Sequence, residues 1–170
     1  SNKNHMLKPR SQSKKDSIKR QILPLDECLA KTIEIADSSN NKPGINVFWH
    51  CYFTGLVARE IISRLPNWLT QVLFPEGSEF IVAIHDIGKV WHIFQEKIYR
   101  AIRTEEYPKG KILGIANPVL EKGSGGHAEV SQVTITAYGE YLCEIVGRHH
   151  GRSNTHNGLP GDSLYGGPEW

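Results

Sequence analysis

Apolar residues recur at helical spacing along most of this chain. Leu25, Leu29, Ile33 and Ala36 fall one turn apart and predict a first helix through Asp26 to Asp37. It stops in Ser38-Ser39-Asn40-Asn41-Lys42-Pro43-Gly44, a dense run of turn formers. A second helix is predicted over Val47 to Leu65, where Cys51, Leu56, Ala58, Ile61, Ile62 and Leu65 are apolar, Arg59, Glu60 and Arg64 are not, and Pro66 ends the pattern. A short helix fits Trp68 to Phe74.

Ser78 has the chemistry of an N-cap for a helix through Glu79 to about Lys89. The unbroken run Phe80-Ile81-Val82-Ala83-Ile84 implies that this helix is buried on most sides. A short buried strand over Glu79 to Ile84 fits as well, but no neighbouring segment alternates as its partner would. Trp91 to Arg103 repeats the helical pattern with Phe94, Ile98 and Ile102 inward. A polar connection with Gly and Pro follows from Thr104 to Gly126, long enough for a lid or loop near a site. Two more helices are predicted, Ala128 to Tyr141 and Leu142 to His150, the first weakened by β-branched Val133-Thr134-Ile135-Thr136. Gly151 to Trp170 reads as loop. The expectation is an all-α domain, a helical bundle, over residues 21–170.

Length is consistent with one domain and one sizeable core: the chain has 170 residues. No apolar run approaches the ~20 residues of a membrane helix, and no secretory signal is visible, so no membrane partner and a cytoplasmic location are the default expectations. Cys28, Cys51 and Cys143 are odd in number and widely spaced, which argues against a disulfide framework or a CxxC site and for reduced core residues. Residues 1–20 carry seven Lys or Arg and one Asp, leaving 13 basic and 17 acidic residues from 21 to 170. That basic tail lacks aromatics and reads as a disordered terminus rather than a DNA contact, with Ser1 to Met6 resembling an expression remnant. Composition alone supports no broad nucleic-acid patch.

The chemistry lies in the histidines. His85-Asp86 closes the apolar run at 80–84 and is followed by Ile87-Gly88-Lys89; His50, His127 and the pair His149-His150 lie on other segments. Neutral imidazole and carboxylate suit divalent transition ions, and a carboxylate has two oxygens with which to bridge a pair of them. A lone histidine is more often a hydrogen-bonded structural residue than a ligand. Here every candidate falls at or near a predicted helix terminus, where side chains from separate helices of a bundle can meet. Neighbouring helical positions point about 100° apart, so His85 serves one side while Asp86 is placed to bridge. Six ligands exceed the needs of one tetrahedral ion, and two ions fit better. Lys89, three residues after Asp86, could steady a phosphate oxygen or the leaving group. His92 and His156 are expected in surface or loop roles.

These residues carry a resemblance. The order His50, His85-Asp86-Ile87-Gly88-Lys89, His127 and a later helix is similar to the HD superfamily of metal-dependent phosphohydrolases. Trp49-His50 with Gly55 and Ala58, Phe94-Gln95 behind the dyad, His127 with Ser131 one turn on, and Arg148-His149-His150-Gly151 resemble the HD nuclease domain of the CRISPR-associated helicase-nuclease of type I interference systems. The resemblance spans roughly residues 45–170. It implies an all-helical HD bundle with a metal site at its centre, holding one or two divalent ions (manganese, iron, nickel, cobalt or zinc) and cutting single-stranded DNA in antiviral defence. Water activated by the ions would attack phosphorus. The implied partners are single-stranded DNA, a helicase motor in the same polypeptide or a separate chain, and the CRISPR surveillance complex. Residue by residue, His50, His85 and Asp86 would hold one ion, and Asp86, His127, His149 and His150 the other. Asp86 and Lys89 would carry the catalysis, and Lys89 and Arg148 would contact substrate. The family's late aspartate has no match here; Asp162, twelve residues past His150, is a poor substitute. The chain therefore reads as a domain without its C-terminal helices and motor. Two other readings stay open: a nucleotide or cyclic-nucleotide phosphohydrolase, in which Lys109, Lys111 and Lys122 could hold substrate, and a non-catalytic docking module.

Overall fold

The computed structural model describes residues 23–36, 41–102 and 126–151. The architecture is helical with one small ribbon. Helices α1 (Val47–Arg64), α2 (Asn67–Leu73), α3 (Ser78–Ile84), α4 (His92–Ala101), α5 (His127–Thr134) and α6 (Glu140–Gly147) account for most described residues. The all-α expectation holds. Strands β1 (Thr32–Glu34) and β2 (Asn41–Pro43) pair antiparallel, with Ile33 opposite Lys42. No helix among the described residues is long and apolar enough to cross a membrane.

The first predicted helix does not form. In its place Leu25–Glu27 makes a single 3-10 turn, and the chain then extends into β1. The physical reason is tertiary: the backbone N–H and C=O of Leu29 both bond the side chain of Gln95, which leaves neither for a helical ladder. β-branched Thr32 and Ile33 suit the strand that follows. The apolar residues counted towards that helix do reach the interior in part. Leu29, with Leu23, Cys28 and Ala30, packs against Val47, Ile98, Tyr99 and Ile102.

Helix α1 matches its predicted span. The Asn46 side chain accepts from the Trp49 N–H at 2.9 Å and donates to the Asp26 carbonyl, capping the helix and tying it to the N-terminal segment. Its outer face is more apolar than expected: Phe48, Trp49, Tyr52 and Phe53 stack on one another half-exposed, and Ile61 is exposed. Along its inner face α1 crosses α3 closely, because a side chain at Gly55 would overlap Ala83.

Helix α3 departs from prediction in three ways. Gly77 rather than Ser78 occupies the N-cap, since the Ser78 hydroxyl donates back to the Pro75 carbonyl. None of its residues is fully buried, and Phe80 is 62% exposed, so it is not enclosed on most sides. The helix also ends at Ile84, and a separate 3-10 turn, Ile87–Val90, follows Asp86. Packing requires that break. A Cβ on Gly88 would stand 2.1 Å from the His127 carbonyl and 2.4 Å from Ser131 N, so the turn lies directly against α5.

Helix α4 is covered on two sides. One face meets the Leu29 cluster, while Trp91 and Ile93 pack with Val130 and Val133 of α5. His92, expected at the surface, is accordingly 1% exposed. The last two helices divide at Gly139, whose φ of 119° suits glycine, after a 3-10 turn at Thr136–Tyr138 that begins where the β-branched stretch Val133-Thr134-Ile135-Thr136 ends. The three cysteines are free, with Cys28 and Cys143 buried. Residues 1–20, the 104–125 connection with Lys109, Lys111 and Lys122, and His156 and Asp162 lie outside the described residues.

The Gly88 contact is backbone against backbone, so neither side can yield by changing rotamer. Gly88→Ala is expected to destabilise the protein by about 3 kcal/mol or more, at the upper end of overpacking costs. Urea unfolding followed by circular dichroism measures it, and a shift below ~1 kcal/mol would contradict the packing described.

Candidate metal centre

Four helices deliver their ends to one point. His50 sits in the first turn of α1, His85 directly after α3, His127 at the first position of α5, and His149 and His150 just beyond α6. Asp86, 4% exposed, lies among them. Its two oxygens face different partners. Oδ2 stands 2.8 Å from His50 Nε2, 3.1 Å from His85 Nε2 and 2.7 Å from Lys89 Nζ. Oδ1 stands 3.2 Å from His127 Nε2 and 3.3 Å from His149 Nε2. His150 Nε2 then meets His127 Nε2 at 2.9 Å. The donor atoms form two clusters, His50 with His85 and Asp86, and His127 with His149 and His150.

The ring orientations follow from helix ends. The last carbonyls of a helix have no intrahelical partner, and here two of them take imidazoles: His85 Nδ1 lies 2.6 Å from the Val82 carbonyl and His149 Nδ1 2.6 Å from the Val146 carbonyl. A carbonyl only accepts, so each Nδ1 carries the proton and, in a neutral ring, each Nε2 presents its lone pair towards Asp86.

Electrostatics keep the carboxylate ionised. Burial works against its charge, but the imidazoles of His127, His149 and His85 and the Lys89 ammonium outweigh burial and hold Asp86 far below the usual carboxylate range. His85 is raised above the ordinary imidazole value, chiefly by its bond to Asp86 and against burial. His150 is lowered, first by burial and then by the neighbouring His149 and His127. The Cys51 thiol is pushed up to about 11 by burial and then by the Asp86 charge, so it stays protonated and is a poor ligand.

The donor set fits a divalent ion on three counts. Asp86 Oδ1 and His149 Nε2 are both buried without a hydrogen-bond partner, since their contact is not aligned as one, and a cation would satisfy both. His127 and His150 bring two ring nitrogens within 2.9 Å of each other, a spacing that serves an N–H···N bond between neutral rings and equally two ligands of one cation. Finally, two donors about 2.1 Å from one ion and at right angles stand about 3 Å apart, the spacing of the Asp86 oxygens from four imidazoles and of His127 from His150.

All six sequence-predicted ligands therefore meet, and Lys89 turns inward with its ammonium against Asp86. Arg148 does not join them. It is exposed and ion-paired with Glu144 one turn back on α6. The parts of the Val82 and Val146 carbonyls go beyond the sequence expectations, although a histidine just past a helix end, three residues after a last-turn carbonyl, is a readable signal. Those expectations also left Phe94, Gln95 and Ser131 without roles. The Phe94 ring packs 5.1 Å from that of His127, and the other two bond the turn after Asp86.

The chain matches the family described as Cas3, HD domain, over residues 36–166, a span that contains the whole cluster. No curated protein and no solved structure matches it.

Metal ligation needs neutral imidazole, and His85 holds its proton more tightly than an ordinary histidine, so protons compete with metal already above pH ~6.5. Cobalt uptake is expected to release protons at neutral pH and to weaken more than about tenfold between pH ~7.5 and ~5.5. Calorimetry in buffers of different ionisation enthalpy measures both, and uptake indifferent to pH would contradict this assignment.

Proposed function

The chain belongs to the Cas3 HD-domain family, metal-dependent nucleases of CRISPR systems, and on that premise we propose that it cleaves single-stranded DNA by phosphodiester hydrolysis at the Asp86 centre. One observation carries the proposal: each oxygen of a single buried carboxylate faces a different set of histidines. That is the arrangement of a residue shared between two ions. His50, His85 and Asp86 would hold one, and Asp86, His127, His149 and His150 the other. When bound, divalent ions lower the pKa of coordinated water from 15.7 to about 7 and neutralise charge on phosphorus.

The protein's own groups prepare the centre for that chemistry. The Val82 and Val146 carbonyls fix the tautomers of His85 and His149, so their lone pairs need no reorganisation when an ion arrives. Asp86 stays ionised across the working pH range. Lys89, its side chain 15% exposed, lies beside Oδ2 with its ammonium available to a phosphate oxygen or the leaving group. His150 is exposed while Asp86 is buried, so the cluster has a solvent-facing side. An open side suits a polymer backbone passing over the centre better than a small nucleotide enclosed in a pocket. Arg148, at the surface near that side, is the weaker candidate for substrate contact. In this reading a helicase motor, in the same polypeptide or a separate chain, supplies the strand within the CRISPR interference machinery.

Asp86→Ala removes the shared ligand and is expected to reduce both metal content and cutting of a circular single-stranded DNA to background. Metal analysis and gel assays with and without chelator provide the readout. Undiminished cutting by the variant or in chelator would sink the proposal. Turnover of free nucleotides with circular strands left intact would point to a nucleotide phosphohydrolase instead.

A further inference from the structure

Asp86 occupies an unusual position for a residue on which so much converges: it is outside any helix. Helix α3 has ended at Ile84, and Asp86 itself adopts φ −103° and ψ 14°, the sparsely populated region between helix and strand. The α3 ladder therefore does not fix the Asp86 backbone from which the carboxylate projects; the turn that follows does, and the histidines and Lys89 then meet its oxygens. That turn is gripped from two sides. On one, the Ser131 hydroxyl of α5 accepts the Gly88 N–H at 2.8 Å. On the other, Gln95 of α4 donates to the Lys89 carbonyl at 2.6 Å. Both side chains are completely buried.

Gln95 extends the grip further. Its remaining amide hydrogen donates to the Leu29 carbonyl at 3.0 Å while its oxygen accepts the Leu29 N–H at 2.8 Å. Two donors and one acceptor on a single planar group, all used, link the turn to the N-terminal segment. A primary amide of this length provides that combination; glutamate lacks the donors and asparagine is shorter by one carbon. Phe94, the residue before it, packs on His127, and the Lys89 ammonium stands 5.8 Å from the centre of the same ring.

We propose that Gln95 and Ser131 are positioning residues for the metal centre, clamping the Gly88-Lys89 backbone so that the two oxygens of Asp86 address separate histidine sets. The inference rests on the reading of Asp86 as a shared metal ligand. Loss of either bond leaves a buried backbone group without its partner, and the turn relaxes towards another conformation. Supporting groups of this kind change metal affinity or activity by about 10- to 100-fold in other metalloproteins.

The test uses the whole chain and cobalt alone, read by its visible absorption bands, which report coordination geometry independently of any substrate. Gln95→Leu and Ser131→Ala are expected to bind cobalt at least about tenfold more weakly, with altered bands. Tyr99→Phe serves as the control: it deletes the bond that the Tyr99 hydroxyl of α4 donates to the Glu27 carbonyl of the same N-terminal segment, and leaves the two bonds to the Gly88-Lys89 backbone in place. It should bind cobalt as the unaltered protein does. If Gln95→Leu fails to fold, Ser131→Ala decides the matter alone. Wild-type affinity and spectrum in the folded clamp variants would overturn the proposal, as would an equal loss in Tyr99→Phe, which would mark the effect as general destabilisation. If the unaltered protein takes up no cobalt, the metal reading itself fails and the clamp with it. Uptake that is unchanged by the clamp variants refutes the clamp alone.

Discussion

A single ionised carboxylate buried among four histidines and a lysine is the constraint around which the rest of this structure is arranged. An isolated buried charge is untenable at several kcal/mol. Asp86 is tolerated because His50, His85 and Lys89 surround one oxygen and His127 and His149 the other. The same surroundings that solve the protein's desolvation problem make an ion site. Nitrogen donors packed close together, with a buried oxygen and a buried ring nitrogen lacking hydrogen bonds, are groups that a divalent cation would satisfy together.

Helix ends do this work because they offer what helix interiors do not. A carbonyl in the last turn lacks its i+4 helical partner and can orient an imidazole, and the chain leaving a helix can turn its side chains towards a common point. His85 and His149 use the same device on two different helices, each bonded to the carbonyl three residues back. Bringing those ends together requires backbones to approach without side chains between them, which is the part played by Gly88 against α5 and Gly55 against α3. Fold and site are thus one packing problem. The glycine that lets the turn reach α5 also places the Gly88 N–H on Ser131.

Much of this was legible in the residues in order. The spans of α1 and α2 follow from apolar spacing and from Pro66, and the six candidate ligands stand out because imidazole and carboxylate fall together at predicted helix ends. Periodicity failed where a distant side chain intervened. Leu25, Leu29, Ile33 and Ala36 have helical spacing, yet Gln95, 66 residues beyond Leu29, takes both backbone groups of Leu29 and the segment extends instead. His92 looked like a surface residue on a helical wheel drawn for one buried face; α4 is covered on two faces, and His92 is interior.

From sequence alone, the chemistry of the donors and the class of fold were determined, because both depend on residue type and on spacing within a single helix. Tertiary structure alone decided which oxygen of Asp86 meets which histidines, that Lys89 points inward while Arg148 pairs with Glu144, and that Gln95 and Ser131 hold the turn. Those outcomes depend on distances between segments far apart in the chain. Local pattern carries no information about them until the helices have packed.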